Sequence, residues 1–176
     1  MKLNNKKIGR KIFLPILFIL IAIILCLSLI KINVLFIRDN FTKDLKKVEY
    51  IKKDSLFGII YTHSVMLTET SEWYKAKGDK LILMEERYNS QGAGLPVNLI
   101  YKFKHEKGGD FVLYDINVPF DSFIYRTGAV RANHRLKIGN KLEYFLEFSE
   151  PREALEFSTK RISIFNYLLR RCQVGR

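Results

Sequence analysis

The stretch that decides the fold is Leu56–Pro96, LFGIIYTHSVMLTETSEWYKAKGDKLILMEERYNSQGAGLP. It opens with the run Leu56–Val65, where alternate residues face opposite sides of an extended strand. Both sides of this run carry apolar residues, which predicts a strand inside a sheet. Thr68–Ala76 and Leu81–Tyr88 predict two more strands. Gly78-Asp79 fits the two-residue hairpin turn between them.

That turn fixes the predicted register of the hairpin. It places Tyr74 opposite Leu83, and Glu72 opposite Glu85. Like charges directly opposite one another are unfavourable unless a cation or a shared proton lies between them. The simpler interpretation is therefore that one of these two carboxylates forms a surface ion pair with Arg87 or a lysine.

Working outward from this stretch, short β-branched and aromatic runs recur with a turn signal about every ten residues. No long helical pattern separates them. The sequence therefore predicts an all-β fold, an antiparallel sandwich or barrel of about nine strands, over residues 33–150. Residues 151–176 are predicted to be a C-terminal extension that ends in a short helix over Ser163–Arg171 with a basic flank.

The N-terminus predicts a membrane anchor. Ile12–Ile30 is a run of nineteen residues without a charge. As a helix it would span about 28 Å, close to the hydrocarbon thickness of a bilayer. Five cations and no acid precede it, so we expect residues 1–11 in the cytoplasm, a single-pass anchor at 12–31 and the rest of the chain outside. A cleaved signal peptide is the alternative, but the run is long and no small-x-small cleavage site follows it.

The charge and the cysteines exclude other classes of protein. The net charge is +12, and residues 38–176 carry 24 cations against 18 acids. Half of the excess therefore belongs to the membrane-directing segment, and nucleic acid is not an expected partner. Cys26 and Cys172 lie too far apart in the predicted topology to pair, so we expect neither a disulfide nor a cysteine metal cluster.

His63 is the first candidate for chemistry. In a strand its side chain points away from that of Ser64, so the two cannot form a nucleophile–base pair. A partly buried structural histidine is the ordinary interpretation. As an acid–base group it would need a partner from elsewhere, and the available groups are His134, Glu69, Glu72, Glu85 and Glu86. A zinc site of two histidines and a glutamate lacks any supporting spacing, so no metal and no cofactor is predicted.

The glycine loop Gly92-Ala93-Gly94 is a second candidate. It lacks the spacing of a nucleotide-binding loop and the helix that would follow it. A tight turn is the ordinary interpretation, and the alternative is a backbone nest that binds a small anionic solute. In that case Arg126, Arg131 and Arg135 would be charge partners.

The order of the motifs resembles that of a bacterial family of extracytoplasmic proteins, the domain of unknown function 1850. The motifs are Tyr61-Thr62-His63-Ser64-Val65, Glu72-Trp73-Tyr74, Gly92-Ala93-Gly94-Leu95-Pro96, Gly128-Ala129-Val130 and His134-Arg135-Leu136. The resemblance covers most of 33–150 and brings no established catalytic residues. It implies an accessory role in solute uptake, because members are commonly encoded beside tripartite TRAP transporters of the TAXI type.

We therefore expect a membrane-anchored accessory or binding protein, whose partners are the membrane or solute-binding subunits of such a transporter. The alternatives are an envelope enzyme that uses His63 with a glutamate, and a structural envelope protein whose basic face contacts acidic polymers or lipid headgroups. No catalytic residue is predicted. The residues predicted to bind a ligand or partner are His63, Ser64, Glu72, Gly92, Gly94 and His134.

Overall fold

Antiparallel strands make up most of the computed structural model, which describes residues 5–89, 100–107, 110–128 and 131–174, with side chains from residue 13 onward. Its strands are β1 (Lys31–Asp39), β2 (Leu45–Ile51), β3 (Leu56–Thr62), β4 (Glu69–Lys77), β5 (Lys80–Tyr88), β6 (Lys102–His105), β7 (Phe111–Phe120), β8 (Ser122–Arg126), β9 (Arg135–Ile138), β10 (Lys141–Tyr144) and β11 (Ala154–Ser163). Its helices are α1 (Asn5–Leu29), a 3-10 turn at Phe145–Glu147 and α2 (Ile164–Arg171).

The strands form two antiparallel sheets. The small sheet has the order β2-β1-β11-β8, and the large sheet has the order β10-β9-β3-β4-β5-β7-β6. The predicted all-β, antiparallel class is confirmed, with eleven strands in the described residues where about nine were expected. β3 lies between β9 and β4, as its two apolar sides predicted.

The two sheets share one core. Leu35 and Ile37 of β1 and Phe157 of β11 pack in the same buried cluster as Phe57 and Ile59 of β3. Alternate residues of a strand face opposite sides of the sheet, so Leu35 and Ile37 face the shared core. Val34, Phe36 and Val48 lie on the other side of the small sheet. There they form a second cluster, against which Tyr167 and Val174 pack. The small sheet is therefore buried on both faces.

The segment 151–176 supplies the middle of the small sheet. β11 pairs with β1 from Lys31↔Ser163 to Asp39↔Leu155 and with β8 on its other side. α2 follows at once, and the Ile164 amide donates a hydrogen bond to the Ile30 carbonyl at 3.0 Å. The Ser163 hydroxyl caps this helix by accepting from the Asn166 amide. The two helices consequently meet at one end of the domain.

The β4–β5 register differs from the prediction at one point. Tyr74 lies opposite Leu83 as expected, but a bulge follows, and Trp73 lies opposite Glu85. The predicted Glu72–Glu85 pair is therefore wrong, and Glu72 lies opposite Glu86. The extra residue in β5 is Met84, and an irregularity in the β5–β7 pairing falls at the same place, between Leu83 and Glu85.

The strand predicted to reach Val65 ends earlier, at Thr62. The Leu67 amide donates a hydrogen bond to the His63 carbonyl at 2.9 Å, which closes a turn over these residues. The prediction that His63 lies within a strand is therefore wrong. The predicted Gly78-Asp79 turn is confirmed, since Lys77 pairs with Lys80 and Gly78 has a φ of +66°.

At the N-terminus, α1 leads into β1 through Ile30. None of the helices in the described part of the chain has both the length and the apolarity that crossing a membrane requires.

Phe157→Ala tests the role of β11 in the shared core. This side chain is fully buried and stacks with Phe123 at 5.2 Å, so its truncation should cost about 3–5 kcal/mol of unfolding free energy. Chemical denaturation of the full chain in detergent would measure the loss. Phe41→Ala is the matched control, because Phe41 is 76% exposed. Equal effects of the two substitutions would contradict the central position of β11.

Candidate functional site

A carboxylate between the two sheets accepts hydrogen bonds from three tyrosines. The Glu72 carboxylate accepts from the hydroxyls of Tyr61 (3.1 Å), Tyr74 and Tyr125. Tyr61 stands on β3, Glu72 and Tyr74 stand on β4, and Tyr125 stands on β8 of the small sheet. This carboxylate–tyrosine cluster therefore joins the two sheets through polar contacts.

The tyrosines of the cluster remain protonated donors. Burial raises the pKa of the Tyr61, Tyr74 and Tyr125 hydroxyls, and the negative charge of Glu72 raises it further. An ionised carboxylate only accepts hydrogen bonds, so three hydroxyl donors match its lone pairs. Such charge-assisted bonds replace the water that Glu72 loses on burial.

Glu86 faces this cluster from β5. Its backbone lies directly opposite that of Glu72. Burial raises the pKa of the Glu86 carboxyl to about 7, with the charge of Glu72 adding to the effect. A proton on Glu86 consequently relieves the like-charge contact, and this proton exchanges near neutral pH.

His134 packs beside the cluster in a neutral form. Its ring stacks on Phe145 with centroids 5.3 Å apart and lies 5.4 Å from the ring of Tyr61. Nδ1 accepts the amide hydrogen of Gly128 at 3.2 Å, which leaves the proton on Nε2. Burial lowers the pKa of His134 to about 4. The histidine therefore acts as a packed ring with one internal hydrogen bond.

His63 organises a different feature, the turn of residues 63–67, here named the His63 turn. Its Nδ1 accepts the amide hydrogens of Val65 (3.4 Å) and Met66 (3.2 Å), and its own amide donates to the Thr68 carbonyl at 2.8 Å. Leu67 adopts a positive φ of 54° to close the turn. The imidazole is therefore a local cap for backbone amides.

The His63 turn presents apolar side chains to solvent. Val65 is 69% exposed and Leu67 is 64% exposed, with Met66 and Ser64 exposed between them. Their positions are fixed by the hydrogen bonds to His63. A fixed and exposed apolar turn is a surface that another molecule could cover at small entropic cost.

The structure brings together two of the six predicted residues. Glu72 contacts Tyr61 and Tyr125, and His134 packs against the same two rings. His63 and Ser64 lie in the His63 turn, and Gly92 and Gly94 lie outside the described residues. The nest predicted at Gly92–Gly94 therefore stays a prediction. Arg135, one of its expected partners, bonds Glu69 at 2.7 Å.

The arrangement limits the chemistry. Across the described residues, no carboxylate hydrogen-bonds to His63, and no group of three His, Cys, Asp or Glu side chains could hold a metal ion. The cluster links the two sheets through the hydrogen bond from Tyr125 to Glu72.

Sequence reasoning did not assign Tyr61, Tyr74 or Tyr125 to the site, and it named Glu86 only as one of the possible partners of His63. Tyr74 follows Glu72 by two residues on the same face of a strand, and that spacing was visible in the sequence. Glu86 was not expected opposite Glu72, because the bulge moves it there by one position. Tyr125 reaches Glu72 from the other sheet, so no local pattern indicated it.

A protein-family model described as "Domain of unknown function (DUF1850)" matches residues 57–146. The matched region runs from β3 to the 3-10 turn and contains Glu72, Glu86, Tyr125 and His134. It leaves out β1, β2 and β11. No curated protein and no solved structure matches the chain.

Glu86 should make stability fall as pH rises. Its pKa of about 7 in the folded state exceeds the unfolded value of about 4.3, so the folded state holds more protons between these pH values. Glu86→Gln should abolish this fall and stabilise the protein at about pH 8 by about 1 kcal/mol, after allowance for solvent screening. Thermal unfolding across this pH range would show it, with exposed Glu150→Gln as control. An unchanged pH profile in the Glu86 variant would contradict the assignment.

His134 should have the opposite effect on the pH dependence of stability. Its folded pKa of about 4 lies below the unfolded value of about 6.5, so the unfolded state binds more protons between them and stability is lost as pH falls through this range. His134→Asn keeps an acceptor for the Gly128 amide and should flatten the acid limb of the same unfolding profile. His105→Asn, at an exposed histidine, should leave the limb intact. An acid limb that survives in the His134 variant would refute a buried neutral imidazole.

Proposed function

Because the chain belongs to the family described as Domain of unknown function (DUF1850), as its motifs predicted, we propose that it is a membrane-anchored extracytoplasmic accessory protein of a tripartite solute uptake system of the TRAP, TAXI type. It binds a membrane subunit or a solute-binding subunit of that system. The class of transporter is inferred from the family resemblance. The proposed binding surface is the His63 turn described above.

The apolar side chains of α1 support the anchor. From Phe13 to Ile30 the helix and its exit expose large aliphatic and aromatic residues, and Phe18 is 65% exposed. Such a surface requires an apolar cover. The charge-free run from Ile12 to Ile30 with cations before it fits a bilayer as that cover, with the β-domain on the outer side.

The His63 turn lies far from that anchor. β4 begins at Glu69, beside the turn, and ends at Lys77. Near its end, the Ala76 carbonyl accepts a hydrogen bond from Asn33, close to the start of β1 and the exit of α1. Eight residue steps of β4 correspond to about 26 Å. In the anchored chain the turn therefore points away from the bilayer, toward partners in solution or the outer parts of a membrane complex.

The observation that carries the proposal is the exposed apolar tip of the His63 turn. Val65, Met66 and Leu67 stand on a backbone that His63 already holds in one conformation. Binding a partner there would bury apolar area without first ordering a loop. His63 and Ser64 are thus binding residues in this proposal, and the carboxylate–tyrosine cluster is the framework beneath them.

An envelope enzyme is the alternative function. It requires an imidazole that faces a carboxylate. The Nδ1 of His63 instead accepts hydrogen bonds from backbone amides, and His134 has a pKa of about 4 and faces aromatic rings. The contacts therefore favour the accessory role.

A crosslinking pull-down of the full chain from its own membranes tests the proposal. Mass spectrometry should recover TRAP membrane or solute-binding subunits with the wild-type chain. Val65→Ser with Leu67→Ser should lower this recovery at least about tenfold, because the apolar tip is lost while the His63 hydrogen bonds to the backbone remain.

Ile124→Ser with Leu142→Ser is the matched control, since these two aliphatic residues are 55% and 46% exposed on other strands. This control should recover the subunits as the wild type does. Recovery of no transporter subunit by the wild type would refute the accessory role. Equal losses in both double variants would refute the His63 turn as the contact.

A further inference from the structure

A groove of about 590 Å³ opens between the two sheets at the end where α1 enters the domain. The small sheet contributes β1, β2 and β11 to its walls, and the large sheet contributes β4, β5 and the Gly78 turn. The groove lies at the opposite end of β4 from the His63 turn.

The groove exists because the core ends here. Along β1 the side chains that face the large sheet are Ile37 and Leu35 in the core, and then Asn33 and Lys31. Asn33 bridges the sheets through its Nδ2, which donates to the Ala76 carbonyl at 3.3 Å. Arg161 lies opposite Asn33 on β11. Polar and cationic residues therefore continue the inner face past the last apolar layer.

The groove carries a large excess of positive charge. Its lining holds five cations and one acid, Asp54, which is already paired with Lys75 at 2.7 Å. Within the described chain the other four cations form no ion pair; they are Lys31, Lys53, Lys77 and Arg161. The bond to Lys75 lowers the pKa of the Asp54 carboxyl, and the charges of Lys53 and Lys77 lower it further. An anion in the groove would meet cations from both sheets.

Part of the lining of the groove is apolar. Ile51 is buried, and Ile82, Met84 and Ala76 line the same space beside the cations. A ligand that contacts both parts combines an anionic group with an apolar portion. A phospholipid has both, in its phosphate diester and its acyl chains, whereas a small inorganic anion has only the first.

The position of the groove selects the source of such a ligand. Lys31 and Ile32 line it, and they follow the last residue of α1, Leu29, by only two and three positions. If α1 lies in the bilayer as proposed above, the groove opens at the level of the lipid headgroups. Cations near a membrane surface each add to its attraction for anionic lipids.

We propose that this groove binds the phosphate diester headgroup of an anionic phospholipid in the outer leaflet of the membrane. Lys31 and Arg161 contact the phosphate, Lys53 and Lys77 add positive charge around it, and the apolar side chains of the lining contact the first methylene groups of the acyl chains. The inference rests on the anchor in the proposed function and adds a lipid ligand to it.

Nanodiscs that contain the full chain test this inference. They are made from phosphatidylcholine alone or from equal parts of phosphatidylcholine and phosphatidylglycerol, and native mass spectrometry identifies the lipids that the released protein retains. The wild type should retain phosphatidylglycerol in preference. Lys31→Gln with Arg161→Gln should lower that preference about tenfold or more.

Arg126→Gln with Arg131→Gln is the matched control, because it removes the same charge from exposed positions outside the groove. It should retain phosphatidylglycerol as the wild type does. Equal retention by the groove and control variants would overturn the site. A second measurement uses calorimetry to titrate glycerol phosphate, a soluble phosphate compound, into the chain in detergent. No saturable binding is expected. Saturable binding that is lost in the Lys31→Gln, Arg161→Gln double variant would overturn the lipid as the ligand.

The same experiment distinguishes a wrong anchor from a wrong lipid site. A chain that is recovered outside the nanodiscs refutes the anchor and this inference with it. A chain that is recovered inside nanodiscs without a preference for phosphatidylglycerol refutes the lipid site and leaves the anchor standing.

Discussion

The antiparallel ladder between β1 and β11 is the constraint on which the rest of the structure depends. It runs from Lys31↔Ser163 to Asp39↔Leu155 and joins the first strand of the domain to the last. The ladder places Phe157 against the large sheet, and it starts α2 at the carbonyl of Ile30. The exit of α1, the basic groove and the C-terminal helix meet at one end because this ladder brings them there.

A partly buried carboxylate needs hydrogen-bond donors in place of water, and the fold supplies them from both sheets. Glu72 receives two tyrosine hydroxyls from its own sheet and a third from Tyr125 of β8. The hydrogen bond from Tyr125 therefore depends on the alignment of the two sheets, since a slip of either sheet would remove this third donor. This requirement explains why so polar a group lies beside the core in a domain without a disulfide among its described residues.

The sequence predicted what depends on neighbours in the chain. The strand that begins at Leu56, the Gly78-Asp79 turn and the Tyr74–Leu83 pair follow from alternation and turn chemistry, which act over a few residues. The predicted strand ran to Val65, three residues beyond its observed end at Thr62. The bulge at Met84 has no local signal, and it placed Glu86 opposite Glu72 where Glu85 was expected. Tyr125 could not be predicted, because its contact with Glu72 arises only when the two sheets pack. His63 was identified as important, but its role depends on a turn that interrupts the expected strand.

The position of β11 also sets the order in which the chain folds. β1 lies between β2 and β11, so its second edge has no partner until β11 has been synthesised. Pairing strands so distant in sequence is slow, because a long loop must close before the contacts form. Until β11 has been synthesised, the chain therefore presents an open β edge and an incomplete apolar core. A chaperone that covers this edge is what such an intermediate would require to avoid pairing with another copy.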